Sequence, residues 1–320
     1  MEQAAIKTSA LAKSFGATLA VDRLELDVHK GELFGLVGPD GAGKSTTMRL
    51  LTAIMRPTSG DAWVAGYSII GEEERIKERI GYMSQRFGLY EDLTVMENIL
   101  FYADLYGVPR RMRPPRIERL LAFSNLTPFQ TRLAGNLSGG MKQKLGLACA
   151  LIHTPEVLFL DEPTGGVDPV SRRDFWRILY DLLREGVTIL VSTAYLDEAE
   201  RCTRVGLMNQ GRLLVTDEPL KMRRSLPLPM TEILTPDARA AREIVGAMDG
   251  VEMATIYGDR LHVALKRLEM AERVVERLAS TGISVTGSRP ILPSLEDVFI
   301  ALTKGPADGK AHPEVLHGRD

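Results

Sequence analysis

Nine residues, Gly38-Pro39-Asp40-Gly41-Ala42-Gly43-Lys44-Ser45-Thr46, hold the most specific chemistry in the chain. They fit the pattern G-x-x-x-x-G-K-[ST], with Gly38, Gly43, Lys44 and Ser45 in the fixed places. Glycines at this spacing let the backbone turn tightly with its N–H groups converging on an anion. Lys44 can then reach β- and γ-phosphates, and the Ser45 hydroxyl can ligate Mg²⁺. A second pair, Asp161-Glu162, ends the apolar run Val157-Leu158-Phe159-Leu160. Adjacent carboxylates at the end of a core strand are costly unless they hold a metal or a water. Asp161 suits Mg²⁺ through water, and Glu162 suits general-base work on an attacking water. Ser138-Gly139-Gly140 opens a helical stretch, Met141 to Ile152, and makes a second anion-accepting nest.

These groups need particular elements to hold them. Leu33 to Val37 reads as a buried parallel strand, and Thr46 to Met55 as a helix closed by Pro57, so the loop lies between strand and helix. Ile6 to Leu11 and Ala20 to Val28 read as strands of a hairpin, with Phe15 in the turn Lys13-Ser14-Phe15-Gly16 as a packed loop aromatic. Ile80 to Gln85 reads as a strand ending in an amide, and taken alone Gln85 could be any polar strand end. From Arg86 to Ile152 the pattern is helical, with Thr94 and Glu97 spaced as a capping box. Arg110 to Arg119 carries five arginines, but no aromatics interleave, and Pro109, Pro114 and Pro115 argue for a solvated loop and helix start rather than a basic helix. Phe175, Ile178, Leu179, Leu182 and Leu183 mark a helix, and Thr188 to Ser192 the next buried strand.

The totals exclude several classes. At 320 residues, 44% hydrophobic and 26% charged, the chain suits a globular protein of about two domains. A net charge of −2 gives no overall field for nucleic acid. Cys149 and Cys202 show no metal or disulfide spacing, which suits a reducing compartment. No apolar run approaches the ~18 residues that span a bilayer, and the N-terminus lacks the pattern of a signal peptide. The expectation is a cytoplasmic protein, with any membrane crossing supplied by another chain.

Over roughly residues 5 to 217 these stretches together resemble the ATP-binding subunit of an ABC transporter. Gly38 to Thr46 is similar to the Walker A loop, Val157 to Glu162 to the Walker B strand with its catalytic glutamate, and Leu137-Ser138-Gly139-Gly140-Met141 to the ABC signature. Gln85 sits where the family has its Q-loop glutamine, Phe15 where it has the aromatic that stacks on adenine, and Asp168 where it has the D-loop aspartate. The resemblance implies an α/β phosphate-loop NTPase core, with a RecA-like parallel sheet, an antiparallel β subdomain and a helical subdomain at about residues 86–152. It implies ATP and Mg²⁺ as cofactors. Residues 38–46, Phe15 and Asp168 would attend the nucleotide, Ser45, Gln85 and Asp161 the metal, and Glu162 and Gln85 the hydrolysis. Ser138, Gly139 and Gly140 would serve the γ-phosphate of an opposed ATP-binding subunit, since two such domains sandwich two ATP molecules.

One position departs from the family. The residue after Ser192-Thr193 is usually histidine, and here it is Ala194, which offers no donor to a γ-phosphate. Asp40 stands where asparagine is common, a milder change. Three explanations compete for Ala194: the weak site of an asymmetric dimer, a homodimer hydrolysing slowly through Glu162 alone, or a position altered to trap ATP. The first is favoured here.

Residues 219–303 read as a separate α+β domain in the order β-α-β-β-α-β, with a hairpin across Gly258-Asp259 and strand-like Ile283 to Thr286. Ser294 and Asp297 form a capping box on a last helix. This region is similar to the C-terminal extension of ABC-2-type exporter ATPases, in the stretch Ser294-Leu295-Glu296-Asp297-Val298-Phe299. Residues 1–218 would then be the ATP-binding domain, 219–303 a regulatory or dimerising domain and 304–320 a disordered tail. The expected function is ATP hydrolysis powering an ABC-2-type exporter of drugs or other hydrophobic compounds, at the inner face of the membrane with permease subunits. The rivals are a soluble ABC ATPase without a membrane partner, and a non-hydrolysing module that binds ATP and dimerises.

Overall fold

A computed structural model describes residues 4–85 and 88–303. The tail expected at 304–320 lies outside the described residues. The chain divides between Thr216 and Asp217 into two compact units.

The first unit is built on a six-stranded sheet. Its order is Arg212–Asp217, Arg204–Asn209, Leu33–Val37, Thr188–Thr193, Val157–Asp161, Ile80–Met83. From Arg204–Asn209 to Ile80–Met83 every neighbouring pair is parallel. Each residue of Leu33–Val37, Val157–Asp161 and Thr188–Thr193 is buried, as in parallel sheets covered on both faces. The helix Pro169–Arg184 buries Phe175, Trp176, Ile178, Leu179 and Leu182, a stripe set by helical spacing. An antiparallel sheet centres on Ala4–Phe15, which pairs with Thr18–Leu24, Asp27–His29 and Ser59–Val64. The helix Lys44–Leu51 joins one core with both sheets: Met48, Leu50 and Leu51 are fully buried alongside Ile6, Leu11, Phe34 and Leu190. Burying each leucine contributes about 1.5–3 kcal/mol, so the helix that follows the glycine loop is firmly seated.

Two local readings change here. Phe15 ends the strand rather than lying in the turn. It pairs with Thr18 across Gly16-Ala17, and Gly16 at φ 57 supplies the left-handed residue of that two-residue loop. The loop helix runs Lys44–Leu51 and stops short of Met55, because Ala53 turns left-handed at φ 54 and its N–H closes back on Leu50 O at 3.0 Å.

The helical segment contains Val95–Leu105, Arg113–Phe123 and Gly139–Leu151. Thr94 and Glu97 form the reciprocal cap at the start of the first. The prolines do not keep the arginine-rich stretch from being helical. Pro114 and Pro115 occupy the first turn of Arg113–Phe123, where their missing N–H groups would have no helical partner anyway. Its arginines are used internally: Arg113 bonds Val108 O at 2.8 Å, Arg116 bonds Ile152 O at 3.1 Å, and Arg119 pairs with Glu185.

The second unit is a four-stranded antiparallel sheet in the order Val251–Tyr257, Arg260–Leu265, Met230–Leu234, Gly287–Ile291. The helices Ala238–Gly246 and Met270–Ser280 pack Ala241, Val245, Val274 and Leu278 against Ile233, Leu261 and Val263. Ile300 of the last helix, Leu295–Thr303, packs with Met230, Met253 and Ala264. This is the split β-α-β arrangement. The last strand lies later than Ile283 to Thr286. Ile283 and Val285 instead pack on the helical side of the core, and pairing begins at Gly287. The strand contains Pro290, a residue sheets admit at an edge, where this strand lies.

No helix among the described residues is long and apolar enough to cross a membrane.

Candidate active site

The site lies beyond the C-terminal ends of the parallel strands, where open α/β sheets place their ligands. The loop from Gly38 to Gly43 joins Leu33–Val37 to the helix Lys44–Leu51. Glycine is required at two of its positions by contact: a Cβ on Gly38 would lie 2.1 Å from Met208 O, and one on Gly43 2.4 Å from Ala20 O. Gly43 also stands at φ 104 and caps the helix without a side chain. The first-turn amides therefore have no side-chain cap, an arrangement that favours an anion at the helix N-terminus. The cavity there has a volume of about 350 Å³ and is lined by Ala20, residues 40–46, Gln85 and Glu162.

Lys44 is buried, and its Nζ donates to Gly38 O at 2.8 Å and Pro39 O at 3.0 Å. The same Nζ is 3.5 Å from Glu162 Oε1. Ser45 Oγ donates to Asp161 Oδ1 at 3.0 Å, and Ser192 Oγ donates to the same oxygen at 2.5 Å. Asp161 is 1% exposed, and among the described residues no basic side chain pairs with it. A buried carboxylate held only by hydroxyls calls for a cation. With the Ser45 hydroxyl, the donor set is all oxygen, as a hard divalent ion requires.

Glu162 is the first residue past the strand Val157–Asp161 and stands at φ 50, a strained region for a residue with a side chain. Its N–H donates to Ser192 O at 3.1 Å, which fixes the turn, and its Oε2 accepts from Gln85 Nε2 at 2.9 Å. The structure therefore brings Lys44, Ser45, Gln85, Asp161 and Glu162 to one place.

Five expected residues are not among those that line this cavity. Phe15 is half exposed under Lys13 Nζ, 5.3 Å from its ring centroid. Ser138 caps Gly139–Leu151, accepting from Met141 N at 3.3 Å. Gly139 is open, since a Cβ there would meet nothing within 4 Å. Gly140 is packed so closely against the helix Pro169–Arg184 that a Cβ would lie 2.4 Å from Ser171. Asp168 caps that same helix, accepting from Val170 N and Ser171 N, and these hydrogen bonds, those of Ser171 first, hold its carboxyl below the usual range. Ala194 is exposed just beyond Thr188–Thr193.

Ser192, a direct partner of Asp161, is not marked by any of the sequence patterns. Its only signal is a hydroxyl closing a buried apolar strand. A larger apolar cavity of about 700 Å³ lies among Met96, Leu100, Ile117 and Leu121 in the helical segment and contains none of these groups.

Residues 21–165 match the family described as ABC transporter. Over 95% of its length the chain is 43% identical to the probable multidrug ABC transporter ATP-binding protein YbhF of Escherichia coli, of which it spans about half, 53%. It is 35% identical to the daunorubicin/doxorubicin resistance ATP-binding protein DrrA of Streptomyces peucetius, covering 97% of this chain and 96% of that one. It is 36% identical to the Nod factor export ATP-binding protein I of Paraburkholderia xenovorans, over 95% and 98% respectively. Among solved structures, an ATP binding subunit of an ABC transporter superposes with a TM-score of 0.63 at 29% identity, covering 68% of this chain and 92% of that one. Clostridium perfringens cbiO1, part of the ABC transporter complex cbiONQ, shares the fold with a TM-score of 0.65 at 24% identity, over 77% and 96%. The fold is that of an ABC ATPase cassette. The chain belongs to the ATP-binding proteins of the ABC transporter family.

Proposed function

We propose that the chain binds and hydrolyses ATP to power an ABC-2-type exporter of drugs or other hydrophobic compounds. The observation that carries this reading is the meeting of Lys44, Ser45, Gln85, Asp161 and Glu162 around the cavity at a helix N-terminus. Backbone amides of residues 41–46 and Lys44 would take the phosphates. Ser45 and Asp161, with Gln85, would hold Mg²⁺, which neutralises charge on the transferring phosphoryl group. Glu162, aimed by Gln85 and by its own turn, would orient and polarise water. Ser138 and the glycines after it line no part of this cavity and would serve a second ATP-binding subunit. Permease subunits would supply the membrane passage, placing the chain on the cytoplasmic face. The names of the multidrug, daunorubicin-resistance and Nod factor export relatives support the exporter reading.

Ala194 favours a weakened own site, since an exposed methyl cannot steady developing charge. It also keeps open a second reading, a module that binds ATP and dimerises without hydrolysis. Steady-state ATP turnover by the purified chain, alongside Glu162→Gln and Ala194→His, separates the two. Turnover that Ala194→His raises and Glu162→Gln abolishes supports a throttled ATPase. No turnover in the wild type or in Ala194→His supports the second reading.

A further inference from the structure

Glu198 is fully buried in the first unit, and its carboxylate joins three segments around the site. Oε1 accepts from Thr164 Oγ1 at 2.5 Å and faces Arg172 Nε at 3.4 Å. Oε2 accepts from Thr193 Oγ1 at 2.9 Å. Thr164 and Thr193 are themselves 1% exposed. Each partner belongs to a different segment. Thr164 belongs to the turn that holds Glu162 left-handed, where Gly165 N closes on Glu162 O at 3.2 Å and Val167 N on Thr164 O at 3.2 Å. Thr193 Oγ1 also accepts from Tyr195 N at 3.0 Å, so the same hydroxyl fixes the backbone on both sides of Ala194. Arg172 lies on the helix that Asp168 caps, and its guanidinium stacks 4.8 Å over the Tyr195 ring.

A buried carboxylate needs its partners, and hydrogen bonds to it are stronger than those between neutral groups. We propose that Glu198 is a positioning residue for ATP hydrolysis, locking the Glu162 turn, the Ala194 position and the Asp168-capped helix into one register. The inference rests on the hydrolytic reading above, but the linkage itself is a set of contacts within the fold. Movement of any one segment is transmitted through Glu198 to the other two. The placement of residue 194 therefore depends on Thr164 as much as on its own neighbours.

The test uses the full chain with Thr164→Val, Thr164→Ser and Glu198→Gln. In the absence of nucleotide, hydrogen exchange at the Tyr195 amide should rise about tenfold in Thr164→Val, since Thr164 is linked to that amide through Glu198 and Thr193. kcat for ATP should fall about tenfold in Thr164→Val and Glu198→Gln, with KM and calorimetric ADP affinity within about twofold of wild type. Thr164→Ser, which keeps the hydroxyl, should restore both readouts. Wild-type exchange at Tyr195 in Thr164→Val overturns the inference, as does a loss of ADP affinity in step with kcat. Absent ATP turnover in the wild type would refute the hydrolytic reading, while the exchange experiment still decides the linkage.

Discussion

Gln85 Nε2 donates to Glu162 Oε2 at 2.9 Å, joining the end of one parallel strand to the strained turn after another. The bond gives Gln85 a direct hold on the carboxylate proposed to polarise water. Gln85→Ala should therefore lower kcat by at least about tenfold while leaving ADP affinity, titrated without Mg²⁺, near wild type, because removing one charged-group hydrogen bond costs ~1.5–3 kcal/mol. Steady-state kinetics together with calorimetric titration of ADP check this. An equal loss in both would make Gln85 a binding group instead.

Gly140 packs on Ser171 with no room for a methyl. Gly140→Ala should destabilise the chain by about 1–3 kcal/mol through overpacking, and Ser171→Gly in the same chain should recover most of it. A double-mutant cycle of denaturant unfolding measures the coupling. Additive effects would mean that the helices separate freely.

Asp297 in the second unit is buried between His262 Nδ1, at 3.0 Å, and Ser294, whose N–H and hydroxyl each donate at 2.8 Å. Burial alone would raise its carboxyl, but the hydrogen bonds from His262 and Ser294 outweigh it and hold the group below its ordinary value of 3.8. A carboxyl lowered by folding stabilises the fold above its unfolded value, and that contribution fades as pH falls through the lower folded value. Asp297→Asn should destabilise the second unit at pH ~7, with the gap to wild type shrinking below pH ~4. Urea unfolding of both chains at the two pH values tests this, and a gap independent of pH would contradict it.

Cys149 and Cys202 are free and buried, and burial pushes both thiols up. Neither should react with an aromatic disulfide reagent until the first unit opens, after which both titrate. Rapid labelling of the native chain would show that this core breathes.

The local signals of the sequence carry far. The glycine loop, the Thr94 and Ser294 capping boxes and the hairpin across Gly258-Asp259 are written within a few consecutive residues, and all appear where the spacing places them. What the sequence hides depends on partners that local patterns do not name. Phe15 leaves the expected turn because its pairing with Thr18 sets where that turn falls, and the last strand shifts because Pro290 belongs on an edge known only once the sheet is ordered. Ser192 and Glu198 are silent in the sequence because their partners Asp161 and Thr164 lie 31 and 34 residues away. No periodicity encodes a hydroxyl meeting a carboxylate across two strands.

Lys44 has three ammonium protons and three oxygen neighbours already, Gly38 O, Pro39 O and Glu162 Oε1. On the proposed reading, a phosphate arriving at this lysine would exchange one anion for another instead of filling an idle charge. The free energy of the encounter is a difference between two ion pairs, so it should vary with ionic strength less steeply than attraction to an exposed lysine would. Two carbonyls already hold the ammonium in place, and the carboxylate that such an exchange would release is the one proposed to act on water.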